Sequence, residues 1–360
     1  MWDLAAYRIP QDRMPHFRTG HEWNIYPTYD FAHCLCDSLE GVTHSLCTTE
    51  FVLSRESYEW LNRTLRVCEP MQREYGRLSM THTVMSKRKL RQLVDSGRVR
   101  GWDDLRLFTH NALRRRGVPP GAILAFIHDL GAARFDQAVR SHLETTVPRL
   151  MLVLTPLRVV IEDLGADLEG RDLDVPFSPK DPSMGRRTLR LTKTVYIDQS
   201  DFREEDSPGY FRLAPGKQVG LLNVPYPIQA TGFTKDRETG GITEVEAVLV
   251  RDGKKPKTYI HWVPEGEGSR TIEVRLYDPL FRTESPGGDG FLDDVDPNSE
   301  TIYKSAMVEA DGFEAVKRRA LAKVEGGDGQ DEETPLLGLE CVRFQGMRVA
   351  YFTAPMNTWC

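Results

Sequence analysis

The chain is predicted to be multi-domain, opening as mixed α/β, passing through a connector of short helices and ending as all-β. Two observations carry that reading. Apolar residues keep the three-to-four spacing of helices in several segments before Pro148, and after it they alternate with a period of two. Gly, Pro and Asp clusters then break the second half into many short strands, a pattern of β-barrels or sandwiches.

Taken in order, WNIYPTYDFA from Trp23 reads as strand-like and leads into LCDSLEGVTHSLCTTEF. In SYEWLNRTLRVC, Tyr58, Leu61 and Leu65 make a short amphipathic helix. VMSKRKLRQLVDSG, Val84 to Gly97, reads as another, with Leu90, Leu93 and Val94 on one face, Ser86 as N-cap and Gly97 past the end. From Trp102 to about Thr146, LRLFTHNALRRRG stops at Gly117, PPGAILAFIHDLG stops at Gly131, and FDQAVRSHLETTV follows. Beyond Pro148, two apolar runs flank Thr155-Pro156, and TLRLTKTVYID, ITEVEAVLV and TIEVRLYD alternate. Leu189, Leu191, Val195 and Ile197 are therefore expected in a core, with Ile272, Val274 and Leu276. SPGGDGFLDDVDPNSE and VEGGDGQDEETP are expected to be too polar to pack, and mobile. No internal repeat is present.

The totals exclude several classes. At 360 residues there is room for two or three domains, each with its own core. No run approaches the roughly 18 apolar residues of a membrane span, and MWDLAAYRIPQDR lacks the apolar centre of a signal peptide, so an intracellular chain with reduced thiols is expected. The six cysteines lack the spacing of a disulfide framework or a zinc site; Cys34-x-Cys36 is too tight for the usual ligand pair. The net charge of −6 argues against a general nucleic-acid coat, but charge is segregated. Between Leu61 and Arg116 stand fourteen Lys or Arg against five Asp or Glu, whereas DGQDEET marks an acidic C-terminal half.

Lys87, Arg88, Lys89 and Arg91 crowd the opening turn of a helix, the pole that carries partial positive charge and unpaired N–H groups. Each cation there is unfavourable by a few tenths to about 1 kcal/mol unless an anion compensates, and phosphate is the obvious one. The alternative is a solvated basic face.

Met85-Ser86-Lys87-Arg88-Lys89 resembles the mobile signature loop of Rossmann-type aminoacyl-tRNA synthetases. YPTYDFAHCLCDSLEGVTHSLCTTEF, QREYGRL, GWDDLRLFT and LRRRG surround it, and together they resemble the glutaminyl-tRNA synthetase family from about Asp3 to Phe352. The resemblance implies the second half of a Rossmann-type catalytic domain over 1–100 and a helical connector over 101–147. It implies two anticodon-binding β-barrels, a proximal one from 148–206 with 287–360 and a distal one over 207–286.

It further implies ATP-dependent activation of glutamine and its transfer to tRNA(Gln). Lys87 would act on the ATP phosphates with Lys89 assisting; Met85, Ser86 and Arg77 would join Lys87 in ATP binding, and Mg2+ would come with ATP rather than in a protein-held metal site. Tyr29, His33, Cys47, Phe51 and Gln72 would shape the glutamine pocket, Tyr29 and Gln72 reading the amide, which donates where a carboxylate only accepts. Plain packing is the alternative for Tyr29, Phe51, Cys47 and His33. Arg149, Arg212, Gln345 and Arg348 would contact the anticodon, where Arg and Gln suit base edges. Gly220 and Leu222 stand where bacterial members place basic residues, and Leu105 where Pro is commoner.

The implied partners are tRNA(Gln), glutamine and ATP in the cytoplasm, with no membrane and no DNA. The family's HIGH signature occurs nowhere in the sequence. The expectation is thus the C-terminal two-thirds of such an enzyme, starting inside the catalytic domain, inactive alone and with its last barrel strand in question after Phe352. A glutamyl-tRNA synthetase and a non-catalytic tRNA-binding module are the alternatives.

Overall fold

A computed structural model describes residues 5–10, 15–76, 78–128, 135–252, 255–325 and 342–354. The chain divides into two compact units, Met1–Met80 and Thr81–Cys360.

In the first unit β1 (Tyr7–Arg8) pairs antiparallel with β2 (Tyr26–Pro27), and α1 (Tyr29–Leu39), β3 (His44–Thr48), α2 (Arg55–Leu65) and β4 (Met71–Tyr75) follow. β3 and β4 are parallel, with His44 opposite Met71 and Cys47 opposite Glu74, so α2 is part of the crossover such a pair requires. The strand expected over WNIYPTYDFA is confined to Tyr26–Pro27. Thr28 starts a helix instead, because Phe31, Cys34 and Leu35 share one helical face and pack on Tyr58 and Leu61 of α2. Much apolar surface of this unit meets water: Phe17 is 89% exposed and Leu39, Leu46 and Leu53 are each about 70–80%.

The second unit begins with α3 (Lys87–Asp95), α4 (His110–Arg115), α5 (Pro120–His128) and α6 (Phe135–Thr146). Leu93 of α3 is fully buried among Val84, Val99, Leu107 and Ala112, and the same core takes Leu280, Phe281, Phe291 and Val295. SPGGDGFLDDVDPNSE therefore packs, contrary to expectation. Phe291 and Val295 enter the core, while Asp294 accepts hydrogen bonds from the Thr283 N–H and hydroxyl and Ser299 is fully buried. From residue 326 onward, VEGGDGQDEETP lies outside the described residues.

The β-rich part runs β5 (Arg149–Leu150), β6 (Leu152–Val153), β7 (Pro156–Ile161), β8 (Asp172–Pro176), β9 (Arg186–Arg190) and β10 (Thr194–Asp198). It continues with β11 (Gln218–Leu221), β12 (Pro227–Lys235), β13 (Ile242–Leu249), β14 (Tyr259–Ile260) and β15 (Trp262–Pro264). It closes with β16 (Ser269–Tyr277), β17 (Glu300–Glu309), α7 (Ala310–Glu325), β18 (Val342–Gly346) and β19 (Ala350–Ala354). Seven strands form one sheet in the order β14-β11-β12-β13-β7-β10-β15. Its two edges, β14 and β15, are separated in sequence by His261 alone, so the sheet nearly closes on itself. Alternation puts Val159, Val195, Ile197, Val245 and Ala247 inside with Trp262, as the two-residue period predicts for Val195 and Ile197.

A second core is walled by the sheets β16-β17-β6 and β19-β18-β5 and by α7. Ile272 and Val274 point into it with Leu150, Leu152, Phe177, Val308, Phe313 and Phe344, and Leu276 packs at its margin. The chain interleaves the two cores: β7 and β10, from within 148–206, join the seven-stranded sheet, and β16, from within 207–286, joins the second core.

Arg187 of β9 and Glu309 at the end of β17 form a buried ion pair, their side chains 2% and 1% exposed. Arg187 Nε donates to both Glu309 oxygens at 2.8 Å, Nη1 donates to the Pro176 carbonyl at 2.7 Å, and Glu309 also accepts the Met151 N–H at 2.7 Å. Gly312 in the first turn of α7 permits this: a Cβ there would meet Arg187 Cδ and Leu150 Cδ2 at 2.8 Å. Breaking a buried pair by removing one partner leaves an unpaired charge and costs about 3–5 kcal/mol, whereas replacing both with apolar residues costs little. Glu309→Gln should therefore lower the urea stability of this unit by about that amount, and the double variant Arg187→Met/Glu309→Leu should recover most of it.

Candidate functional site

Within the first unit, α1 and the end of β3 bring the residues expected to bind an amino acid into one cluster. Tyr29 stacks on His33, centroids 4.9 Å apart and 10° from coplanar, and leans on Phe51 at 5.6 Å. Their i, i+4 spacing on α1 makes the stack possible. Gln72 is the buried residue of β4; its Nε2 donates to Cys47 Sγ at 3.2 Å, Glu74 Oε1 at 3.1 Å and the Phe51 carbonyl at 3.5 Å. With Nε2 committed inward, Oε1 is the atom with which Gln72 would accept from a ligand. All five residues thus share one place, and Asp30, His33, Phe51, Ser54, Tyr58 and Gln72 line a small pocket there.

Three of those lining residues were missed in the sequence. Asp30 sits within a quoted motif without being singled out, Ser54 lies outside every motif, and Tyr58 reads as a helix-core aromatic. Tyr58 in fact also does polar work: its hydroxyl pairs with Ser45 Oγ at 2.8 Å, and Ser45 donates to Asp37 Oδ2 at 2.5 Å. Desolvation, then Asp37, pushes the Tyr29 hydroxyl up; desolvation is also the main cause of the rise at Tyr58, so both phenols stay protonated donors. Asp30 and Asp37 give the cluster an acidic surround, and Glu74 is held by Arg55.

In the second unit, Ser86 is extended at the N-cap of α3 without a side-chain capping bond, and the first turn holds no acidic residue. Lys87 and Arg88 are exposed there, Met85 is half-buried, and Lys89 lies with Nζ 5.1 Å from the Phe291 ring centroid. Arg91 is paired with Asp95 at 3.3 Å. Arg77 lies outside the described residues.

The four residues expected at RNA bases fall into two pairs, both within the second unit. Gln345 of β18 stands opposite Arg149 of β5 in a parallel register. Arg348, in the turn after β18 at φ 65°, grips Asp201 with two bonds of 2.9 Å, and Arg212 Nη1 reaches the same carboxylate at 3.0 Å. His261, at the seam of the seven-stranded sheet, places Nδ1 3.4 Å from Arg348 Nη1. Burial pushes the His261 imidazole down, so it is neutral and two cations surround one anion. Asp201 and His261 were not singled out in the sequence, where each is an isolated polar residue. Gly220 is explained by space: a Cβ there would collide with the Tyr259 ring, so a side chain would displace it.

Comparison with known proteins supplies the context. The model of the catalytic domain of class I tRNA synthetases (E and Q) matches residues 1–148, and two anticodon-binding domain models of the same class match residues 147–250 and 259–318. The chain is 62% identical to the glutamine–tRNA ligase protein virJ of Hypocrea virens, over 98% of this chain and 54% of that relative. It is 48% identical to the glutamine–tRNA ligase of Saccharomyces cerevisiae, over 98% and 46% respectively. It is 46% identical to the probable glutamine–tRNA ligase of Schizosaccharomyces pombe, over 99% and 45%. The chain spans about half the length of the curated relatives it matches.

GWDDLRLFT owes its shape to Asp104, 3% exposed, which accepts the Arg100 and Arg106 N–H groups at 3.0 Å and Arg106 Nε at 2.9 Å; Arg106 in turn reaches Ser299 Oγ at 3.1 Å. Burial alone would raise this carboxyl, but the hydrogen bonds from Arg106 and the two backbone groups outweigh it and hold it at about 2. A pKa below the unfolded value of about 3.9 stabilises the fold above pH ~4, and the contribution is lost as pH falls through about 2. Asp104→Asn should cost about 2 kcal/mol at neutral pH and flatten the acid limb between pH ~4 and ~2, as read from urea unfolding against pH.

Proposed function

We propose a role for this chain on one premise: it belongs to the class I tRNA synthetases of the E and Q group and resembles the glutamine–tRNA ligases within it. The role is glutamine–tRNA ligation in the cytoplasm, to which the chain contributes an amino-acid pocket, phosphate-directed lysines and the anticodon-binding domains. The observation that carries the proposal is the clustering of Tyr29, His33, Phe51 and the Gln72–Cys47 contact around a small pocket that His33, Phe51 and Gln72 line. A protonated phenol and an amide oxygen suit a neutral amide, while Asp30 and Asp37 disfavour the carboxylate of glutamate by like charge. That pattern and the names of the relatives favour the glutamine reaction over the glutamate one.

In the reaction, the glutamine carboxylate attacks the α-phosphate of ATP, pyrophosphate leaves, and the activated acyl group passes to a terminal tRNA hydroxyl. Lys87, with Lys89, would neutralise charge building on the phosphate oxygens at the uncapped start of α3, with Met85, Ser86 and Arg77 beside the nucleotide. Mg2+ would enter with the nucleotide and neutralise charge on its phosphates. We read β3-α2-β4 as Rossmann-type, the seven-stranded sheet as the distal barrel and the core around α7 as the proximal one, joined to the catalytic part through α4–α6. Arg149, Arg212, Gln345 and Arg348 would read the anticodon.

The HIGH signature is not among these 360 residues, so the chain alone should not catalyse glutamine-dependent ATP–pyrophosphate exchange but should bind tRNA. Filter binding tests this. The chain should prefer tRNA(Gln), its affinity should fall steeply with salt, and Arg149→Ala should weaken binding by about tenfold, in line with the ~1–3 kcal/mol of a base-edge contact. Equal binding to unrelated tRNAs would overturn the assignment.

A further inference from the structure

We infer that Asp201 is a positioning residue for RNA recognition, presetting the guanidinium groups of Arg212 and Arg348 before the RNA arrives. The inference rests on the reading above and goes beyond it, since nothing in the resemblance or the relatives assigns Asp201 or its neighbour His261 a role.

The geometry is specific. Asp201 is 1% exposed, in the 3-10 turn Gln199–Asp201 after β10, and its carbonyl accepts the Leu213 N–H at 3.0 Å, which fixes the chain beside Arg212. Its two carboxylate oxygens take the Arg348 fork at 2.9 Å each, and one also takes Arg212 Nη1 at 3.0 Å. Arg212 Nη1 is further held by the Ser200 carbonyl at 3.2 Å. The two arginines come from different parts of the fold: Arg348 from the β18–β19 turn on the second core, Arg212 from the segment leading to β11. A carboxylate this deeply buried needs such partners, but the arginines do not share its burial. Their side chains are 28% and 40% exposed, so each arginine is held by the buried carboxylate while part of its side chain meets water.

That division is what edge recognition requires. A free arginine loses rotamer entropy of about 2 kcal/mol when it is immobilised, and a fork already oriented by a carboxylate has lost it before binding. Arg348 also holds a left-handed backbone, φ 65°, uncommon for a residue with a side chain, which the doubly bonded carboxylate helps maintain. His261 completes the enclosure without adding charge, and the two arginines that share the Asp201 carboxylate face a nucleobase acceptor edge or a phosphate.

The test compares equilibrium binding of the chain and of Asp201→Asn to tRNA(Gln) and to the same tRNA with each anticodon base replaced in turn. The variant keeps the side-chain shape but loses the charge. The expected result is a loss of about tenfold in preference for the correct anticodon, with the slope of affinity against salt nearly unchanged, because phosphate contacts elsewhere persist. Asp201→Glu should restore part of the preference. A wild-type chain that ignores the anticodon would sink the underlying function and this inference with it. A wild-type chain that discriminates, matched by an Asp201→Asn variant that discriminates equally, would overturn the positioning role alone.

Should Asp201→Asn fail to fold, the unmodified chain decides. Nitrogen-detected spectra of 15N-arginine-labelled protein, assigned with Arg212→Lys and Arg348→Lys, should show slow guanidinium rotation at both residues without RNA. Rapid rotation there would overturn the inference.

Discussion

A carboxylate removed from water must find cations and donors or be protonated, and the β-rich unit is arranged around two that obey this constraint. Glu309 closes the second core by taking Arg187 and the Met151 N–H, which joins the end of β17 to β9 and to the stretch between β5 and β6. Asp201 joins the turn after β10 to Arg348 beyond β18. Neither contact is local: Arg187 and Glu309 are 122 residues apart, Asp201 and Arg348 are 147. A chain that passes back and forth between two cores has many ways to mispair short strands, and two buried polar links that work in only one arrangement penalise the others.

The alternation of the β half was legible because every second residue there is buried by the same sheet, so the period survives whichever strands are neighbours. Leu189, Leu191, Val195, Ile197, Ile272 and Val274 are buried for that reason. Strand partnership was not legible, since β7 and β10 pair with strands that follow much later, and nothing in PLRVVI names its neighbour. WNIYPTYDFA misled because its aromatics suit both a strand and the face of a helix, and contact with α2 decided between them. The packed segment at Phe291 misled in the opposite way. Its charge count describes its surface, while two apolar residues determine its position.

The candidate site divides similarly. Motifs marked the residues expected to take part in ligand chemistry, and the structure collects five of them in one cluster. The groups that hold side chains there could not be picked out one by one, because orientation can be supplied by any donor or acceptor in the right place: Glu74 beside Gln72, Ser45 behind the lining residue Tyr58, and Asp201 behind two arginines. The cations opening α3 show a related economy. Lys89 covers the Phe291 ring while Lys87 faces solvent, so neighbouring cations on one helical turn meet different surroundings.

The first unit has a two-stranded sheet, β3 and β4, and side chains such as Phe17, Leu39, Leu46 and Leu53 in contact with solvent. Wetting each large apolar side chain costs on the order of 1.5–3 kcal/mol relative to covering it, and a two-stranded sheet leaves the outer backbone donors and acceptors of both strands outside its own ladder. Self-association, binding by chaperones and proteolytic trimming would therefore begin at this end of the polypeptide, and solubility, more than folding of the β cores, would limit how concentrated a preparation can become.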